Sequence, residues 1–169
     1  CDTGLRAGSE ELLVNKICQI VYQKKLINIT LDNGEVHQFF REVLGEFYLY
    51  ENKIISAEEL GQISFYSEMI KHYQYCLRIL AKGIYATSDI YLKLERRHVS
   101  EPLIDAIIKR LKQHKLLNDK QYAKNAFTHY FKQGYGPLYI KQKLMDKQID
   151  QATIDEIVVI SEQVQLEQA

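Results

Sequence analysis

Shifting the chain against itself by fifty residues brings Tyr85 onto Tyr135, Ile90 onto Ile140, Lys93 onto Lys143, Leu94 onto Leu144, Ile104 onto Ile154, Asp105 onto Asp155 and Ile107 onto Ile157, with Val99 meeting Ile149. The matched apolar positions recur three or four residues apart, the spacing of one helix face. The matches also include a lysine, an aspartate and a tyrosine, which core packing alone would not impose. A period of this length belongs to helical repeat arrays. A unit so short buries little by itself, so neighbouring units must stack and share a face. The C-terminal part is therefore expected to hold two three-helix units, over residues 68–117 and 118–167, stacked into an elongated, curved array.

Local signals place the helices. Ser56 followed by Glu59 is a capping box that opens a helix near Ala57. Apolar residues at Met69, Ile70, Tyr73, Cys76, Leu77 and Leu80 continue a helical period, with Gly83 as its stop. Thr87 or Ser88 is the expected cap of a helix carrying Ile90, Tyr91 and Leu94, and a further helix runs from about Glu101 through Leu103, Ile104, Ile107, Ile108 and Leu111. Asp119 is the expected cap of the next. In the run KQGYGPLYIKQKL at 132–144, Gly134 suits the left-handed end of one helix and Pro137 the first position of another. With Gly136 as N-cap, Tyr135 and Ile140 take hydrophobic-staple positions.

The N-terminal part reads differently. Residues 17–40 alternate apolar and polar side chains in β-branched runs, and Asp32-Asn33-Gly34-Glu35 supplies a tight turn, so a small antiparallel sheet is expected. Cys18, Ile20 and Tyr22 would share one face, as would Ile27, Ile29 and Leu31. The whole chain is then mainly α, with tandem three-helix repeats preceded by a small β region. Residues 1–16 form an unordered or processed lead, 17–55 the β region with a short helix, 56–117 a linking helix and the first repeat, and 118–167 the second.

Net charge is zero, but residues 68–147 hold 16 Lys/Arg against 7 Asp/Glu. Such a basic body attracts a polyanion or an acidic protein face. The equivalent helices of the two units carry Lys93, Arg96 and Arg97, and Lys141, Lys143 and Lys147, with Lys132 and Tyr135 near the glycine turn. Cations near helix C-termini offset the helix dipole, yet their repetition in space makes a track suited to binding. Lys109, Arg110, Lys112 and Lys115 form a further strip, and Tyr91, Tyr130, Tyr135 and Tyr139 are interleaved among these charges.

Catalytic chemistry is not in view. The sequence holds no Walker loop, dinucleotide fingerprint, nucleophile elbow or H-E-x-x-H. His72 and Cys76 lie one helical turn apart without a second ligand pair, so packing explains them better than a metal. Three cysteines without C-x-x-C spacing suit a reducing cytoplasm, and no apolar run is long enough to span a bilayer. No enzyme activity, metal or cofactor is expected.

Two runs carry a family resemblance. Leu-Leu-Asn-Asp-x-x-Tyr-Ala at 116–123 and Gly-Tyr-Gly-Pro-x-x-Ile-x-x-x-Leu at 134–144, with Tyr75, Leu77, Leu80, Ser88, Leu92 and Leu94 in the first unit, resemble the RecX family of recombinase regulators. The resemblance runs from about Tyr73 to Ile157, and the N-terminal sheet resembles the extension of longer members. Family members often carry arginine where Tyr139 stands, Lys-Gly where Lys147-Gln148 stands, and an Arg-rich helix where Thr128–Lys132 stands. They usually have three helical units, so a form without the third is expected. The resemblance implies a monomeric, cytoplasmic, non-enzymatic regulator of DNA repair, homologous recombination and the SOS response. It would bind the RecA recombinase filament, inhibit ATP hydrolysis and strand exchange, and have single- or double-stranded DNA as a further partner. Lys93, Arg96, Arg97, Lys132, Tyr135, Lys141, Lys143 and Lys147 would form the binding face. The alternative reading is a stand-alone DNA-binding helical module.

Overall fold

The structure is a computed structural model that describes residues 13–168. It comprises two compact units, with the boundary after Lys71. The first contains strands β1 (Val14–Tyr22), β2 (Leu26–Leu31) and β3 (Val36–Phe40), a single-turn helix α1 (Val43–Glu46), strand β4 (Ile54–Ser56) and most of helix α2 (Ala57–Leu80). The strands form one antiparallel sheet in the order β3-β2-β1-β4. The turn after β2 is the expected one. Gly34 takes φ +87°, and the Asn33 side chain accepts from the Glu35 N–H at 2.9 Å.

The sequence reading of β1 needs correction. Residues 14–16, assigned to an unordered lead, begin this strand; residues 1–12 lie outside the described part of the chain. Cys18 and Tyr22 do not share a buried face with Ile20: Ile17 and Ile20 are inside, while Cys18 and Tyr22 are exposed. For Cys18 the cause is a register shift between Ile17 and Gln19 against β2, whereas Tyr22 lies beyond the shift, in regular pairing with Ile27 at the end of the strand. Inserting an extra residue reverses the alternation, so residues three apart point to the same side. Ile27, Ile29 and Leu31, on the regular strand, are buried together. Strand β4, not singled out in the sequence, pairs with the start of β1. A core of these isoleucines with Phe39, Val43, Leu49, Ile55 and Ile63 fills the unit.

α2 begins as expected, with the Glu59 N–H donating to Ser56 Oγ at 3.0 Å. It also completes the sheet, since buried Ser67 Oγ accepts from the Phe40 N–H at 2.9 Å on the edge strand. It runs unbroken through the segment that the sequence divided between a linking helix and the first repeat.

The second unit continues with α3 (Thr87–Glu95), α4 (Glu101–Gln113), α5 (Asp119–Lys132), α6 (Pro137–Asp146) and α7 (Gln151–Gln168). The fifty-residue correspondence holds in burial: Ile90 with Ile140, Leu94 with Leu144, Val99 with Ile149, Ile104 with Ile154 and Ile107 with Ile157 are all buried. It holds in the backbone too. His98 and Gln148, equivalent positions after α3 and α6, both adopt left-handed φ, +57° and +58°.

Two caps differ from expectation. α3 is capped at Ala86, not by Thr87 or Ser88, and the Asp89 carboxylate accepts from the Ala86 N–H at 3.2 Å. α5 is capped by Asn118, whose side chain accepts from the Gln121 N–H at 3.0 Å. This frees Asp119, one residue later, for another contact. The glycine turn has Gly134 at φ +86°, Gly136 as N-cap and Pro137 at the first position. Tyr135 stacks on Tyr139 at 4.4 Å between ring centroids, and Ile140 is fully buried.

A Cβ on Gly134 or Gly136 would meet no atom within 4 Å, so backbone conformation alone should decide substitutions at these sites. Gly134→Ala, at positive φ, should lower stability by about 1 kcal/mol. Gly136→Ser, at φ −73°, should be neutral or slightly stabilising because a hydroxyl can cap α6. Paired denaturant titrations check this contrast, and equal losses at both positions would refute it.

Candidate partner-binding face

The face begins at the N-terminus of α3, where the second repeat reaches the first. Three of the first helical residues are tied across the junction. The Thr87 N–H donates to Asp119 Oδ1 at 2.7 Å, Ser88 Oγ donates to the Lys147 carbonyl at 2.7 Å, and Lys147 Nζ donates to Asp89 Oδ1 at 2.6 Å. Asp119 and Asp89 are carboxylates at a helix start, where unpaired N–H groups and the dipole favour negative charge. Ala86 is buried in the second repeat's core beside Phe127, Ile140 and Leu144. Polar and apolar contacts therefore lock one repeat to the next.

The hydrogen bond to Asp89 raises the Lys147 ammonium above the ordinary lysine range, with partial burial opposing it. Lys147 is thus committed to holding the repeats together, a role beyond its expected place in a binding track. Asp89 and Ser88 were not among the expected site residues. The only trace of Asp89 in sequence is an acid in the first turn of a helix.

Around this junction lies a cleft of about 420 Å³ lined by Ile84, Tyr85, Asp89, Leu92, Lys93, Arg96, Tyr122 and Lys147. Lys93 and Arg96 come from the first repeat and Lys147 from the second. Lys93 Nζ stands 5.5 Å over the Tyr85 ring, and burial pushes the Tyr122 hydroxyl above the ordinary tyrosine range, so it stays a neutral donor. Lys143 lies one helical turn before Lys147 on the same face of α6, with its Nζ 5.3 Å over the Tyr139 ring. Tyr139 joins Tyr130 and Tyr135 in a cluster with centroids 4.4 to 6.0 Å apart. Its edge is open, with neighbouring Leu138 83% exposed.

The other expected residues lie apart from this group. Lys141, about 200° around an ideal helix from Lys143, pairs with Asp155 at 3.7 Å. Arg97, the repeat equivalent of Lys147, packs its guanidinium 4.1 Å over the Tyr75 ring. Lys132 is exposed at the end of α5. In the additional basic strip, Arg110 lies 5.4 Å over the Tyr73 ring, and Tyr73 shares a 2.6 Å hydrogen bond with His114 Nδ1. Burial pushes the Cys76 thiol up to about 11, with Arg97 opposing, which leaves it a packing group at neutral pH. Among the described residues no group of His, Cys, Asp and Glu is placed to hold a metal ion, and no helix is long and apolar enough to cross a membrane.

Residues 118–157, from the cap of α5 into α7, match the second three-helix domain of RecX. A crystal structure of a regulatory protein RecX superimposes with a TM-score of 0.73 at 27% identity, over 86% of this chain and 73% of that one. The chain is similar to RecX regulatory proteins in sequence and in fold. The regulatory protein RecX of Streptococcus pneumoniae strain Hungary19A-6 is 29% identical over 142 residues, 83% of this chain and 55% of that protein. The chain thus spans about half the length of the curated relatives it matches. RecX from Lactobacillus salivarius superimposes with a TM-score of 0.52 at 27% identity, covering 54% of this chain and 60% of that one. Gln148 itself holds a left-handed backbone at φ +58°, a conformation that glycine adopts at least cost.

Two outcomes follow from the junction. Asp89→Ala, which removes both a helix cap and an ion pair, should cost about 2 kcal/mol, and Lys147→Met about 1 kcal/mol or less. Because the Lys147 pKa is raised on folding, its contribution is complete below the ordinary lysine pKa of about 10.4 and disappears as pH rises through the higher folded value. Thermal unfolding across the alkaline range should therefore fall less steeply in Lys147→Met than in the parent; identical slopes would contradict the clasp.

Proposed function

We propose that this RecX-like chain binds the RecA recombinase filament and lowers its ATP hydrolysis and strand exchange. The observation that carries the reading is the convergence of Lys93 and Arg96 from one repeat with Lys147 from the next around a single cleft, with Lys143 and the Tyr139 stack continuing along α6. A polymeric target presents the same surface at regular intervals, and two repeats locked at a defined junction offer a pre-ordered face to it. Pre-ordering lowers the entropic cost of association. Cations held over aromatic rings keep their charge while losing side-chain freedom, so they are suited to a lasting contact with acidic protein surface. The likeness to RecX supplies the partner, and the charge and rigidity of the face supply the means.

Lys93, Arg96 and Lys143 form no ion pair among the described residues, whereas Lys141 and Lys147 do. Reversing the first three to glutamate should raise the concentration needed for half-inhibition of recombinase ATPase on single-stranded DNA by about tenfold or more. The thermal midpoint should change little, since each loses only a cation–π or solvent contact. Undiminished inhibition by a folded triple variant would remove this face from the mechanism. Absence of inhibition by the parent chain would defeat the function itself, and tight, steeply salt-dependent binding to DNA alone would favour the stand-alone nucleic-acid module.

A further inference from the structure

Ile84, in the turn between α2 and α3, is 61% exposed, and three depressions of the second unit meet at it. One is the basic cleft of Lys93, Arg96 and Lys147. Another, also about 420 Å³, is largely apolar, walled by Leu77, Leu80, Ala81 and Leu116 and sharing Tyr85 with the basic one. The third, about 240 Å³, is lined by Tyr122, Ala126 and Tyr130 among others. An exposed β-branched knob with an aliphatic wall on one side and cations on the other has two unmet demands. The apolar wall is favoured by cover from water. The cations also face an imbalance, because Asp89, the carboxylate in the cleft, is already taken by Lys147, and no carboxylate pairs with Lys93 or Arg96 among the described residues.

We propose that this composite groove binds an acidic amphipathic segment of a partner protein. Its carboxylates would face Lys93 and Arg96, and its aliphatic side chains would cover Ile84 and the wall of Leu77 and Leu116. Charge complementarity selects an acidic occupant. The aliphatic wall selects protein over a nucleic-acid backbone, since a phosphodiester chain has no aliphatic side chains to lay against it. The arrangement suits a helix seated by one face in a groove, read through anchors three and four residues apart. The proposal deepens the protein-binding reading above and rests on it for the identity of the partner, but not for the chemistry of the groove.

The test uses the full chain and a fluorescent helical peptide with glutamates on one face and leucines on the other. A scrambled peptide of the same composition and an oligothymidylate serve as competitors. The amphipathic peptide should bind saturably, about tenfold more tightly than the scrambled one, and Lys93→Glu combined with Arg96→Glu should weaken it about tenfold. Ile84→Asp should do the same while leaving the circular-dichroism melt intact, because the side chain is exposed. Equal binding of the scrambled peptide, undiminished binding by Ile84→Asp, displacement by oligothymidylate at lower concentration, or no binding would each overturn the assignment. Recombinase ATPase measured on the same proteins separates the two readings. Inhibition without peptide binding removes the groove and keeps the function, and peptide binding without inhibition does the reverse.

Discussion

The N-terminus of α3 is where the helical unit is held together. A three-helix repeat of about fifty residues buries too little to be stable in isolation, so its persistence depends on the contact with its neighbour. Here that contact is concentrated in four consecutive residues. Ala86 enters the second core, Thr87 gives its N–H to Asp119, Ser88 gives its hydroxyl to the Lys147 carbonyl, and Asp89 takes the Lys147 ammonium. Helix starts leave backbone donors without internal partners, and the second repeat meets that need with a carboxylate. The bonds are directional, so they specify an angle as well as a contact, while the buried Ala86 supplies the apolar part.

This junction divides residues that sequence periodicity treats alike. Lys147 and Arg97 occupy the same place in their repeats, yet one meets the carboxylate of a preceding repeat and the other lies over Tyr75. Lys93 and Lys143 are also equivalent, and each is held over a tyrosine, but Tyr85 sits before its helix and Tyr139 within it. Tyr139 stands at the position of Asp89. The exchange of an acid for an aromatic changes that site from an inter-repeat clasp into part of an open stack beside Leu138. The same backbone thus carries a closed junction in one copy and an exposed surface in the other.

The sheet was legible up to its irregularity. Alternation over Ile27, Ile29 and Leu31 identifies a half-buried strand, and Asn33-Gly34 its turn, because both depend on local geometry. The face of β1 could not be read in this way. A bulge is a property of a strand and its partner together, and nothing in the residues around Cys18 announces that the alternation reverses there. β4 was missed for a related reason: three residues are too few to show a period, and they become a strand only because β1 lies beside them.

Periodicity, turn chemistry and self-similarity by themselves determined that this chain has a small antiparallel sheet, a tandem helical repeat, a left-handed glycine before Pro137 and an uneven store of positive charge. Those properties arise from neighbours a few residues apart or from a pattern repeated along the chain. Tertiary structure alone decided which charges are spent and which are left to act. Lys147 finds Asp89 across 58 positions of sequence, Lys141 finds Asp155 on the following helix, and Lys93 and Arg96 keep their charge facing a cleft. The physical reason is that a side chain's electrostatic role depends on what folding brings within a few ångströms of it, and a one-dimensional pattern does not contain that distance.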